Sequence, residues 1–207
     1  MFYRFAHWVV RAFFAVYFRL EVEGRENVPQ HGGAVIAANH ASYLDPPAVG
    51  AAMPRKLNFM AKEQLFRIPV LASVIKALGA FPVRPASGDR AAIAHALKVL
   101  GSGQLMGIFP QGRRADNDDL ALRGGAVFLA LKSNVPLIPV AVIGSDRAWG
   151  VGRKFPLPKK IRVKIGKPIN LPPLDPKRRQ EQIAEGNEKL RSSLRTLLAE
   201  DGSEGRQ

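Results

Sequence analysis

Short, strongly apolar runs alternate along this chain with longer stretches whose apolar residues fall three and four apart. That alternation restricts the fold more than any other feature. Ala34–Ala38, Leu57–Met60, Gly79–Val83, Leu105–Phe109 and Val135–Ile143 read as strands, the last being the most apolar. Between them, Pro46–Met53, Leu65–Leu78, Asp89–Leu100 and Ala121–Ser133 carry helical spacing. Leu71, Val74, Ile75 and Leu78 share one helical face, and Ile93, Leu97 and Leu100 another. Strands that return through helices run parallel, so the expected fold class is α/β, a mostly parallel sheet covered by helices. Glu21-Val22-Glu23 forms an extended entry. The alternating Ile161–Ile165 run is expected as an edge strand with one wet face. Asp175-Pro176 is expected to cap a last amphipathic helix with Ile183, Leu190, Leu194 and Leu197 aligned, fraying from Glu200 to Gln207.

At 207 residues the chain supports one substantial core, and no linker divides it. There is no cysteine, which excludes disulfides, a thiolate nucleophile and any Cys-containing zinc site. The 31 Lys and Arg against 17 Asp and Glu leave a net charge of +14, which calls for an anionic partner. Nucleic acid is disfavoured, because no recognised binding motif or exposed row of stacking aromatics accompanies the basic residues.

The aromatics crowd residues 1–20 instead: Phe2, Tyr3, Phe5, Trp8, Phe13, Phe14, Tyr17 and Phe18, interrupted by Arg4, Arg11 and Arg19. Three arginines make a spanning helix costly, and no small-residue cleavage site follows a continuous apolar region. The arginines recur at nearly heptad spacing and fall broadly on one side of a helix. Residues 1–20 are therefore expected to form an interfacial, membrane-anchoring amphipathic helix, with residues 21–207 as the folded domain that follows it. The competing reading packs this helix on the domain core or on a second subunit.

Asn39-His40-Ala41-Ser42-Tyr43-Leu44-Asp45 follows the first apolar strand, at the carboxyl edge where open α/β sheets place ligands. A loop of this length can return the Asp45 carboxylate to one imidazole nitrogen and leave the other for substrate. Such a pair acts as a general base on a hydroxyl. Asp45-Pro46-Pro47 also reads as a helix start with Asp45 as N-cap. Ser42 is a rival nucleophile, but a hydroxyl ordering the turn accounts for it.

Three further blocks follow in order: Met60-Ala61-Lys62-Glu63 through Leu78–Arg84, then Phe109-Pro110-Gln111-Gly112-Arg113-Arg114, then Val135-Pro136-Leu137-Ile138-Pro139-Val140. Together with the His40–Asp45 block, and over residues 20–170, they resemble the glycerolipid acyltransferases, best known as 1-acylglycerol-3-phosphate (lysophosphatidate) acyltransferases. The resemblance implies a glycerol-3-phosphate-acyltransferase-like fold with His40 and Asp45 as the catalytic dyad. It also implies an acceptor site drawing on Arg84, Gln111, Gly112 and Arg114, with Asn39 and Lys62 as further candidates. Acyl-CoA or acyl-carrier protein would be co-substrate, with no cofactor and no metal. The implied partners are an anionic membrane surface and a lysophospholipid, at the cytoplasmic face of a membrane.

Three positions depart from the family pattern, one of them Val83, where the family commonly has an acidic residue. Gln111 stands where the family has glutamate, and Arg113 where it has threonine. The amide keeps the shape and one acceptor oxygen but loses the charge. A different acceptor (a lyso-ornithine lipid, a glycolipid or glycerol 3-phosphate) and a catalytically silent lipid-binding relative are the alternatives. His7, His31 and His95 have no ligand spacing to one another.

Overall fold

The computed structural model describes residues 2–67, 72, 75, 76, 79–83, 90–112, 120–150, 152, 153 and 155–204. Its strands are β1 (Glu21–Glu23), β2 (Ala34–Ala38), β3 (Leu57–Lys62), β4 (Ala80–Val83), β5 (Leu105–Ile108), β6 (Leu137–Ile143) and β7 (Arg162–Ile165). They form one sheet in the order β1-β7-β6-β2-β5-β3-β4. Neighbours from β6 to β4 pair in parallel, and β7 pairs antiparallel to β6. This is the expected mostly parallel α/β sheet. The helices are α1 (Phe2–Tyr17), α2 (Asp45–Ala52), α3 (Arg90–Gly101), α4 (Gly125–Ser133), α5 (Ser145–Trp149) and α6 (Arg179–Glu204).

The apolar strands are apolar on both sides because both sides are covered. On β2, Ala34, Ile36 and Ala38 join a core with Phe14 and Phe18 near the end of α1 and Val49 of α2, while Val35 and Ala37 face a second core. That second core holds Val99 of α3, Leu129 and Leu131 of α4, and Leu190 and Leu194 of α6. Each buried Val, Leu, Ile or Phe side chain among these contributes about 1.5–3 kcal/mol, which is why these runs settle as central strands.

β7 is not an edge strand. β1 pairs along its outer side, Val163 through Ile165 are buried, and Lys164 places its ammonium 3.7 Å from Glu23 of β1. The alternation that reads as a wet face is a charged side chain met by a neighbour strand. α4 begins at Gly125, four residues later than expected, because the Arg123 N–H is drawn to the Pro110 carbonyl at 2.7 Å. Asp175 does not cap α6. Its carboxylate accepts from the Lys177 N–H and orders a turn ahead of the helix, which runs to Glu204, while residues 205–207 of the stretch expected to fray lie outside the described residues. Of the Leu65–Leu78 stretch, residues 63–67 form a 3-10 turn, 72, 75 and 76 are helical, and the rest lie outside the described residues.

α1 ends at Tyr17, and Arg19 sits past it in a left-handed conformation (φ 48°), so Arg19 is not on the helix. Val10, Phe14 and the following Phe18 pack on the core, and the His7 ring pairs with the Gly50 carbonyl. The opposite face is apolar and open to solvent, with Trp8 66% and Val16 82% exposed. Among the described residues no helix is long and apolar enough to cross a membrane.

Candidate active site

Parallel pairing brings the carboxyl ends of β2, β3, β4, β5 and β6 to one edge, so blocks far apart in sequence converge there. β2 delivers Asn39 and His40, β5 delivers Phe109 to Gly112, and β6 delivers α5. The opposite edge is tied by Arg55, whose guanidinium donates to the carbonyls of Pro29, Gly32 and Gly103.

His40 Nδ1 lies 2.9 Å from Asp45 Oδ2, with the imidazole 19% exposed and the carboxylate fully buried. The same oxygen accepts the N–H groups of Ala41 and Ser42, each at 2.7 Å. Asp45 is the first residue of α2, and Leu44 occupies the cap position. Its side chain therefore does not cap the helix but turns back into the preceding loop. Two backbone donors and the ring converge on one carboxylate oxygen, a charge-assisted arrangement that fixes the loop and places the ring hydrogen on Nδ1. Nε2 is left with its lone pair, able to take a proton from a hydroxyl.

The imidazole rests on a platform that sequence reading did not single out. Phe109 stacks on His40 at 4.3 Å and 28° between planes, and Phe59 stacks behind Phe109 at 5.9 Å. Gly107 makes room for it, since a Cβ there would lie 2.4 Å from the Phe59 ring. An isolated glycine inside an apolar strand was the available signal.

Gln111 is buried, and its Oε1 accepts the backbone N–H of His40 at 2.6 Å. Its amide oxygen serves the His40 loop rather than facing solvent to meet a ligand. Gly112 has φ 70°, a turn geometry that favours glycine, and a Cβ there would crowd the Arg123 side chain at 3.0 Å.

Asn39 is not placed to bind substrate. It is fully buried, its amide donates to the Val142 carbonyl at 2.9 Å, and its oxygen accepts the Val142 N–H at 2.7 Å. It clamps the end of β2 to β6. Ser42 Oγ donates to the Trp149 carbonyl at 2.6 Å and accepts the Leu44 N–H, an ordering role in the turn. Arg84, Arg113 and Arg114 lie outside the described residues, as does the Lys62 side chain at the end of β3.

Residues 19–143, more than half of the chain and including this whole edge as far as β6, match the family model described as Acyltransferase. The chain belongs to the acyltransferase family. A 1-acyl-sn-glycerol-3-phosphate acyltransferase of Bacillus subtilis is 30% identical to it over 86% of this chain and 87% of its own length. The protein of the same name from Borreliella burgdorferi is also 30% identical, over 62% of this chain and 52% of its own length. Among solved structures, the 1-acyl-sn-glycerophosphate acyltransferase of Thermotoga maritima superposes with a TM-score of 0.75 at 26% identity, covering 94% of this chain and 80% of that one. These relatives carry an O-acyltransferase activity in their names, and this acyltransferase shares their fold.

Proposed function

We propose that this acyltransferase moves a fatty acyl group from acyl-CoA or acyl-carrier protein to the free hydroxyl of a lysophospholipid, with 1-acylglycerol-3-phosphate as acceptor and phosphatidate as product. The observation that carries the reading is the imidazole held at Nδ1 by buried Asp45 with Nε2 left to meet a hydroxyl. The relatives' names supply the acceptor class.

His40 Nε2 takes the hydroxyl proton as the acceptor oxygen attacks the thioester carbonyl. Asp45 holds the tautomer and stabilises the imidazolium that forms. The tetrahedral intermediate collapses by breaking the carbon–sulfur bond, the new ester remains on the lipid, and the imidazolium returns its proton to the departing thiolate. No acyl-enzyme is required. The net charge of +14 favours a phosphate-bearing acceptor, an acidic carrier and an anionic bilayer. We further propose that the chain works at the cytoplasmic face of a membrane as a peripheral or monotopic protein, a reading that the apolar outer face of α1 supports.

The deciding experiment offers one acyl thioester with a panel of acceptors: lysophosphatidate, glycerol 3-phosphate, a lyso-ornithine lipid and a lyso-glycolipid. Wild type should acylate lysophosphatidate, and His40→Ala should lower turnover by about 10²–10⁴-fold. Transfer only to a phosphate-free acceptor would reject the proposed substrate, and activity unchanged in His40→Ala would reject the mechanism.

A further inference from the structure

The outward apolar surface does not stop at α1. Phe13 and Tyr17 stack at 5.3 Å, and the Tyr17 hydroxyl donates to the Pro156 carbonyl at 3.2 Å. Beside Pro156, Phe155 is 78% exposed, and Leu157 also reaches solvent. The Leu157 N–H returns to the Ala148 carbonyl at 2.8 Å, and the Trp149 indole N–H donates to the Arg153 carbonyl at 3.0 Å. Trp149 in turn packs against the exposed ring of Tyr43 at 5.4 Å and accepts the Ser42 hydroxyl through its carbonyl. A continuous set of contacts therefore runs from the outer face of α1, through Pro156 and Leu157, to the loop that holds His40.

Folding does not account for this loop's apolar tip, because an exposed Phe155 adds nothing to either core. Pro156 and Pro158 flank Leu157 and fix their own φ, so the tip is held out with little conformational freedom left to lose on docking. The surrounding charge is mainly basic, with Glu21 paired to Lys160 and Arg162. From Arg147 to Arg162 the sequence carries six Lys or Arg and no Asp or Glu. Arg153 and Lys159 are exposed beside the tip. On the flank of α1, burial and the nearby charge of Arg11 hold the Arg25 guanidinium below its ordinary value, and its Nε is buried with no hydrogen-bond partner. Aromatic and aliphatic tips rimmed by cations fit the boundary between acyl chains and anionic headgroups.

Resting on the reading of this chain as an enzyme that draws its acceptor from a bilayer, we propose that the Phe155–Leu157 tip is a second membrane-inserting element. With the outer face of α1 it seats the chain on an anionic bilayer and holds the His40 loop at the lipid boundary, where a lysolipid hydroxyl lies.

The test measures binding of the full chain to vesicles of phosphatidylcholine alone and of phosphatidylcholine mixed with phosphatidylglycerol. Wild type should prefer the mixed vesicles. Phe155→Ser should weaken binding to them by roughly tenfold while keeping the thermal midpoint and far-ultraviolet circular dichroism of wild type. Trp8→Phe leaves Trp149 as the single tryptophan, and brominated lipids should then quench its fluorescence. Wild-type binding by Phe155→Ser, alongside lost binding by Val16→Asp, would overturn the second element and leave α1 as the anchor. Unquenched Trp149 would overturn it too, as would lipid-free self-association that Phe155→Ser abolishes, which would make the tip a protein interface. None of these results bears on acyl transfer to a dispersed acceptor, which His40→Ala tests separately.

Discussion

The side-chain oxygen of Gln111 sits 2.6 Å from the backbone nitrogen of His40, joining the loop after β5 to the loop after β2. The contact uses an acceptor oxygen, which an amide and a carboxylate both possess. Glutamine at a position where the family pattern has glutamate therefore keeps the bond that orders the His40 loop, without the charge.

Replacing Gln111 separates shape from charge. Gln111→Glu should retain the acceptor and turn over within about tenfold of wild type. Gln111→Ala should leave the His40 N–H without its partner, destabilising the fold by about 1–3 kcal/mol. A ring displaced by about 1 Å from its attack position should also lower kcat by up to about 10²-fold. Thermal unfolding and steady-state kinetics on both variants check the pair. Equal losses in the two would show that the oxygen is not what matters.

The strands were legible because central parallel strands leave a run of buried residues, as in Ala34–Ala38, and the sheet order follows once the intervening segments are helical. The His40–Asp45 pairing was legible from spacing, because a loop of that length returns to its own imidazole. What sequence did not reveal depended on neighbours distant in the chain. Lys164 looks solvated until Glu23 of β1 is placed beside it. Asn39 looks like a ligand-facing amide until Val142 of β6 occupies both its ends. Phe109 looks like ordinary core until it is seen stacked under His40.

Asp45→Asn should keep the fold and lose the chemistry. An amide oxygen can occupy the Oδ2 position and accept the Ala41, Ser42 and ring hydrogens. The amide nitrogen would then fall at the Oδ1 position, which is buried and makes no hydrogen bond. That orphaned donor costs about 1–3 kcal/mol. The imidazolium formed during transfer loses its counter-charge, so kcat should fall by roughly 10²–10⁴-fold. Differential scanning calorimetry beside turnover distinguishes this from simple unfolding.

Gly107→Ala should act on the site from within the sheet. The added Cβ would lie 2.4 Å from the Phe59 ring, and Phe59 stacks on Phe109 under His40. Overpacking of this kind costs about 1–3 kcal/mol. A lowered thermal midpoint with a lower kcat and little change in acceptor KM is the expected pattern. A second substitution, Phe59→Leu, should restore part of both by freeing the space.

Glu21 ties the edge strand β1 to β7. A hydrogen bond from Lys160 chiefly lowers its pKa from the ordinary 4.5, with burial opposing and the charges of Lys160 and Arg162 assisting. A lowered folded-state value means the stabilisation is complete above 4.5, where the carboxylate is charged in both states, and is lost as pH falls through the folded value. The pair is largely solvated, so Glu21→Gln should lower stability at neutral pH by no more than about 1 kcal/mol. Thermal midpoints measured against pH should converge for the two proteins in acid. A constant gap would mean that the charge is not the source.

Asn39 offers the sharpest contrast between scaffold and chemistry, because it immediately precedes His40 and yet faces away into β6. Asn39→Ala would strand the Val142 N–H and carbonyl in a buried place, at about 1–3 kcal/mol for each group. Asn39→Asp would keep the acceptor for the N–H but set a buried carboxylate oxygen against the Val142 carbonyl, and should cost at least as much stability as alanine. If the amide only clamps the strands, the folded fraction of either variant, assayed well below its thermal midpoint, should keep kcat within a few-fold of wild type. A donor to the tetrahedral oxyanion would behave in the opposite way, lowering kcat by about 10²–10³-fold while the thermal midpoint held. The hydrogen bonds to Val142 at 2.7 and 2.9 Å place Asn39 with the first pattern, and measuring both quantities on both variants decides it.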